Sequence, residues 1–304
     1  MRKVLLTLSA AGCAIALAGC GTTGAGAPGA APQTPVALLD MHAHMMVENL
    51  TPDEEIALLK KVGLNRVLFM HSDPEALAAM AKKYPDFIIP ALSITPRGGP
   101  KGLKLDEAAG PALAKLRADK AICAFGEISG GAGYGDNATF RAIYAASAAT
   151  GAPISLHIDL VKPETVAALE AGLTAYPKMK LILAHLGWTA SAELIGRLLD
   201  THPNLYTDVS IRFDAPGSLA WRNNGLDLSI LDKDEHVPAD WLAVMNRHPD
   251  RFLFATDINS FGPRYTIEED LVKTARKAMA PLPRPLQEAF GHRNAERLLK
   301  GCAG

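Results

Sequence analysis

The stretch Val36-Ala37-Leu38-Leu39-Asp40-Met41-His42-Ala43-His44 reads as a short apolar strand, Val36 to Asp40, with two histidines just past its end. Side chains of extended chain alternate between faces, so His42 and His44, with Ala43 between them, aim the same way. Two imidazoles converging beyond a strand end suit a divalent cation, because neutral imidazole nitrogen is among the commonest ligands of such ions. A lone histidine at a strand end is ordinarily a hydrogen-bonded surface group. The pair therefore acquires meaning only from what stands at the other strand ends.

Seven further apolar, β-type runs follow: Asn65 to Met70, Phe87 to Ser93, Ala121 to Ile128, Pro153 to His157, Lys180 to His185, Asn204 to Val209 and Arg251 to Asp257. Several are almost continuously apolar, as expected of strands covered on both faces. Helical segments lie between them, and this alternation is the pattern of βα units around a parallel sheet. Thr51-Pro52-Asp53-Glu54 and Ser72-Asp73-Pro74-Glu75 each offer a capping side chain with Glu three residues later, and Gly63 and Gly151 mark helix ends. Helices over Thr266 to Ala280 and Pro285 to Lys300 close the chain.

Eight strands fit either an open doubly wound sheet or a closed barrel, and the polar residues decide between them. His71 follows the second strand, Glu127 ends the fourth, His157 the fifth, His185 the sixth, Asp208 the seventh and Asp257 the eighth. In an open sheet these ends spread along one edge; in a (β/α)8 TIM barrel they meet at one mouth. A single barrel domain is therefore expected. His42, His44, His157 and Asp257 form a mixed imidazole and carboxylate set for one ion, and His185 with a bridging Glu127 could hold a second. Asp257 is the candidate general base, and His185 is either a ligand or the group that orients water and substrate. Asp208 and His71 read as supporting residues that hydrogen-bond their neighbours. His202 and His248, each before a proline, read as turn residues, and Cys123 as a small buried hydrophobe.

Asp40-Met41-His42-Ala43-His44, Phe125-Gly126-Glu127-Ile128, Ser155-Leu156-His157, Leu183-Ala184-His185-Leu186-Gly187, Ala255-Thr256-Asp257 and Asn294-Ala295-Glu296-Arg297-Leu298 together resemble the amidohydrolase superfamily, specifically its amidohydrolase-2 branch. That resemblance implies one or two divalent ions, commonly Zn2+, and an aspartate after the last strand that assists an attacking water. Many members with two ions use a carboxylated lysine on the fourth strand, whereas this chain offers Glu127. The expected activity is metal-dependent hydrolysis of an amide, ester or lactone of a small molecule. A metal-dependent decarboxylase of a small carboxylic acid and a non-catalytic envelope binding protein are the alternatives.

The connection from Ile211 to Val237 is the longest, and long loops in compact domains tend to be functional. It carries Arg212, Trp221, Arg222 and Asn223, which with Arg264 form a candidate substrate clamp for a carboxylate or a ring. The glycine-rich Gly130 to Gly135 lacks the Lys-Ser/Thr ending of a phosphate loop and reads as freedom above the mouth.

The amino-terminal segment is of another kind. Arg2 and Lys3 precede an apolar run, Val4 to Leu17, with signal-peptide proportions. Leu17-Ala18-Gly19-Cys20 resembles the lipobox of bacterial lipoproteins, which implies lipidation of Cys20 and membrane attachment in the cell envelope. The organisation expected is a signal over 1–19, a lipidated cysteine and flexible tether over 20–35, and the barrel over 36–304. Of the 304 residues, 31 are basic and 32 acidic, giving a net charge of −1 that supplies no global field for nucleic acid. Four cysteines do not make a disulfide framework in a chain this long.

Overall fold

A computed structural model describes residues 34–44, 50–94, 109–129, 138–217, 226–258 and 265–302. The signal, Cys20, Gly130 to Gly135, Trp221, Arg222, Asn223 and Arg264 lie outside the described residues. Strands β1 (Leu39–Ala43), β2 (Arg66–His71), β3 (Ile88–Ile94), β4 (Ala124–Ser129), β5 (Pro153–His157), β6 (Lys180–Leu183), β7 (Leu205–Asp208) and β8 (Phe252–Leu253) pair in that order, every neighbouring pair parallel. The β1/β8 seam is joined by Met41 N–H to the Phe254 carbonyl at 3.0 Å, Asp257 N–H to the His42 carbonyl at 2.8 Å and His44 N–H to the Ile258 carbonyl at 2.6 Å. The sheet is thus the (β/α)8 TIM barrel that the strand-end residues require.

The intervening helices are α1 (Pro52–Lys61), α2 (Pro74–Lys83), α3 (Ala109–Ala118), α4 (Ala138–Thr150), α5 (Pro163–Ala175), α6 (Ala192–Thr201), α7 (Ala239–Arg247) and α8 (Tyr265–Met279). At α1 the capping box forms: Thr51 Oγ1 accepts from Glu54 N–H, and the Glu54 carboxylate accepts from Thr51 N–H at 2.8 Å. At α2 the cap is Asp73, one residue later than a box with Glu75 requires, and its carboxylate takes the N–H groups of Glu75 and Ala76.

One core layer packs the outward strand residues, such as Phe69, Phe125 and Leu183, against helix residues such as Leu59, Leu113 and Leu198. A second fills the barrel with Leu39, Met41, Leu68, Met70, Ile89 and Ile182. Its floor is α10 (Asn294–Leu298), through Ala295, Leu298 and the following Leu299. At roughly 25 cal/mol per Å2 of apolar surface removed from water, each such side chain contributes about 1.5–3 kcal/mol.

Several boundaries depart from the sequence reading, among them the start of the fourth strand, at Ala124 instead of Ala121. The first strand starts and ends three residues later than expected, which puts His42 inside it. The seam bonds to Phe254 and Asp257 extend it to Ala43, and its register against β2 shifts between Asp40 and Ala43. The sixth strand stops at Leu183, before a left-handed turn over Ala184–Gly187. The eighth keeps two residues, because Phe254 N–H turns to the carbonyl of Phe290 and Asp257 takes φ +53°. The last helix is three pieces, α9 (Arg284–Glu288), a π turn (Ala289–Arg293) and α10. Within that turn Gly291 lies so close to the Ala37 carbonyl that a Cβ would sit 2.7 Å from it.

Cys123, expected to be a packing residue, is bonded instead to Cys302. The pair ties the residue before β4 to the end of the chain beneath the barrel, 179 residues away. Sequence spacing gave no sign of it, because only closure of the barrel brings these two positions to one end.

Candidate metal centre

The mouth is built on a buried carboxylate scaffold. Asp40 is fully buried and binds across the seam, accepting from His42 N–H at 3.0 Å, from Thr256 N–H at 3.1 Å and from Thr256 Oγ1. Burial raises its pKa to about 7 against the lowering effect of these donors. Asp208 is equally buried; its Oδ1 accepts from His185 N–H at 3.0 Å, Ser210 N–H at 3.1 Å and Ser210 Oγ. Its Oδ2 lies 3.2 Å from His42 Nδ1. Burial opposes charge on both partners. Their mutual attraction prevails, so Asp208 sits below the usual carboxylate range, and His42, which also faces Glu127, sits well above the usual imidazole range.

This contact fixes the use of His42. In the neutral ring a proton on Nδ1 donates to Asp208 and the Nε2 lone pair faces the mouth, where a cation would take the place of the second proton. There Nε2 stands 3.2 Å from His44 Nε2, 3.6 Å from Asp257 Oδ1 and 3.9 Å from Glu127 Oε2. His44 Nε2 in turn is 3.2 Å from Glu127 Oε2 and 3.7 Å from Asp257 Oδ1. On the opposite side, Glu127 Oε1 is 2.6 Å from His157 Nδ1 and 3.4 Å from His185 Nε2. His185 Nδ1 is held 2.8 Å from Ser210 Oγ. Burial works against the Glu127 carboxylate, but four surrounding imidazoles bring its pKa well below the usual range.

Two sets of ligand atoms converge closely enough to enclose a cation: His42, His44 and Asp257, and His42, Glu127 and His185, each with all atoms within 4.8 Å of one another. The donor chemistry fits a divalent ion. Imidazole nitrogens and carboxylate oxygens are brought together, and two nitrogen lone pairs at 3.2 Å repel unless a cation or a proton lies between them.

The six ligands expected from sequence thus meet at one mouth, with one regrouping. His157 stands beside Glu127 and His185 instead of joining His42, His44 and Asp257. Asp208 supports His42 and His185 directly. His71 accepts from the N–H of Asp73 at 3.0 Å, a local contact at the start of α2. Arg212 is buried, donates to the Ala190 carbonyl at 3.3 Å and lies over the Trp241 ring, and burial lowers its pKa to about 10. Of the proposed clamp it is the member within the described residues. His202 and His248 cap the ends of α6 and α7 and face Glu170 and Asp200.

Asp40, Thr256 and Ser210 escaped the sequence reading. The Asp40/Thr256 pair is a β1/β8 contact that only a closed ring creates. Ser210 sits two residues past Asp208, and that spacing was its one available signal.

Glu127 is positioned by the residue before it. Gly126 has φ +143°, and a Cβ there would come within 2.7 Å of Ser155 Cβ and 2.9 Å of its carbonyl oxygen. β4 can therefore approach β5 closely at this point only with glycine, which holds Glu127 against His157.

The amidohydrolase family profile matches residues 69–301. In sequence, no protein in a curated set is significantly similar to the chain. Among solved structures, a protein of the amidohydrolase type from Staphylococcus aureus superposes with a TM-score of 0.58 at 15% identity, over 87% of this chain and 99% of its own. Dihydroorotase from Campylobacter jejuni does so at 0.56 and 14%, over 86% and 82%, and a TatD homologue from Escherichia coli at 0.56 and 15%, over 86% and 97%. At such identities these superpositions establish the shared barrel.

Proposed function

We propose, given that this chain belongs to the amidohydrolase family, that its mouth is a metal-dependent hydrolytic centre cleaving an amide, ester or lactone of a small molecule. The observation that carries this reading is the convergence of His42, His44 and Asp257 on one side of Glu127 and of His157 and His185 on the other. His42 Nε2 belongs to both triads, but one lone pair serves one ion. The allocation that uses every candidate ligand would give His42, His44 and Asp257 to one ion and His157, His185 and Glu127 to a second. Zn2+ suits such nitrogen and oxygen sets.

A divalent ion bound there would lower the pKa of water from ~15.7 toward roughly 7 and polarise the bond under attack. The chain's own residues do the rest. Asp257, at the start of a loop and only 5% exposed, is placed to take the water proton through one carboxylate oxygen and return it to the leaving group. His185 is held on both sides, its N–H by Asp208 and its ring by Ser210, so it orients what lies over Glu127. Arg212 is the candidate for reading a substrate carboxylate, together with Trp221, Arg222 and Arg264.

Metal analysis of the purified protein, followed by turnover assays on lactones, N-acyl amides and esters, tests the proposal. Two equivalents of metal with hydrolysis abolished in His44→Ala support it. A protein that binds no divalent ion, or one that decarboxylates aromatic acids with a single ion, refutes it.

The chain is also proposed to act in the bacterial cell envelope, anchored through lipid on Cys20. The Cys123–Cys302 bond supports this placement, because disulfides persist in oxidising compartments outside the cytoplasm. Mass spectrometry of the mature amino terminus checks it; an unmodified start elsewhere is the contrary result.

A further inference from the structure

Trp188, which is not among the candidate metal ligands, stands beside two of them. Its ring centroid is 5.0 Å from that of His157 and 5.6 Å from that of His185, and the residue is only partly buried. The backbone that puts it there is unusual. His185, Leu186 and Gly187 take left-handed φ of +55°, +51° and +70° in succession, two of them L residues in a region that costs roughly 1–2 kcal/mol apiece, and Trp188 follows at φ +65°, ψ −88°, a further strained conformation.

Surrounding contacts hold the turn in that state. Asp208 accepts from His185 N–H at 3.0 Å, Trp188 N–H closes back on the His185 carbonyl at 2.9 Å, and Leu160 N–H donates to Gly187 at 3.3 Å. The next residue, Thr189, donates to Asp159 on the β5 loop at 3.0 Å. A left-handed turn fixed from several directions is a device for aiming side chains. The turn ends at Gly187, and the different conformation of Trp188 that follows it sets the indole against His157 and His185.

Resting on the reading of this mouth as a hydrolytic metal centre, we propose that Trp188 is a substrate-specificity residue whose indole forms one wall of the pocket. It selects compounds carrying a flat, conjugated or aromatic group next to the bond cleaved. A rigid indole offers large contact area at little cost in rotamer freedom, and it favours flat rings over saturated ones by roughly 3- to 10-fold through offset or edge-to-face packing. The Thr189–Asp159 tether and the Leu160 contact prevent the wall from relaxing to fit a thicker, saturated ring.

The test is binding of benzoate and cyclohexanecarboxylate to zinc-loaded protein by calorimetry, with indole fluorescence as a second readout. Wild type is expected to bind benzoate roughly 3- to 10-fold more tightly than its saturated counterpart. Trp188→Leu should hold the same zinc and lose that preference, and Trp188→Phe should recover most of it. A zinc-loaded wild type with no preference for the flat ring, or a Trp188→Leu protein that keeps the preference, overturns the role of Trp188 and leaves the metal centre standing. A protein that takes up no zinc overturns the metal centre and this inference together.

Discussion

Asp208→Asn should weaken metal binding without unfolding the protein, for a reason that lies in one proton. Three donors converge on Asp208 Oδ1, namely His185 N–H, Ser210 N–H and Ser210 Oγ. An asparagine of the same shape keeps its carbonyl oxygen there, since the flipped amide would leave two buried N–H groups unsatisfied at about 1–3 kcal/mol each. The NH2 then occupies the place of Oδ2, 3.2 Å from His42 Nδ1. An NH2 group can only donate, so His42 must accept at Nδ1 and carry its proton on Nε2, the atom that both ligand sets require. Changes to such supporting partners typically cost 10–100-fold in metal affinity, or about 1.4–2.7 kcal/mol. Competition for zinc against a chromophoric chelator, at fixed pH, measures the loss; melts of the metal-free proteins check that the fold survives. A folded Asp208→Asn protein with wild-type zinc affinity would refute the tautomer argument and the place of His42 in the centre.

Asp257→Asn, assayed with metal in excess, is expected to lower turnover roughly 100- to 10,000-fold, the range associated with loss of a general base; full activity in single-turnover assays would exclude that role. Gly126→Ala should cost about 1–3 kcal/mol through overpacking against Ser155 and displace Glu127. Adding Ser155→Gly should rescue it poorly, because the Ser155 backbone oxygen and nitrogen remain within 2.9–3.0 Å of the new Cβ, as thermal melts would report. Cys302→Ser opens a loop of 179 residues, for which chain entropy gives about 5 kcal/mol as an upper estimate. Unfolding of wild type with and without reductant, compared with the variant, would show it; identical midpoints count against the bond.

Much of this site was legible because it obeys a period. The strands are short apolar runs, helices with readable caps separate them, and the residues that break apolarity do so at the strand ends. His42, Glu127, His157, His185 and Asp257 therefore announce themselves individually, and the barrel supplies their convergence. What escaped the sequence depends on which ends adjoin in space. Asp40 finds Thr256 only across the β1/β8 seam, 216 residues away, and Cys123 finds Cys302 only beneath the completed barrel. Likewise His157 resembles any other strand-end histidine until β4 and β5 pair, when it proves to belong with Glu127.

The misplaced boundaries have a cause connected to the chemistry. β6 and β8 end earlier than their apolar runs suggest, and the residues past those ends, His185 and Asp257, have φ of +55° and +53°. Continued extended strand would alternate their side chains between barrel core and helix layer and keep their backbones in the ladder. Leaving the ladder in a left-handed conformation lets each side chain face the mouth instead, at a cost of roughly 1–2 kcal/mol per L residue. Buried hydrogen bonds from their own backbones offset part of it: His185 N–H to Asp208, and Asp257 N–H to the His42 carbonyl. Both acceptors belong to residues that also shape the centre. The same contacts that tolerate the unusual backbone therefore orient the ligands, so a substitution that relaxes either turn should loosen metal binding as well as the local fold.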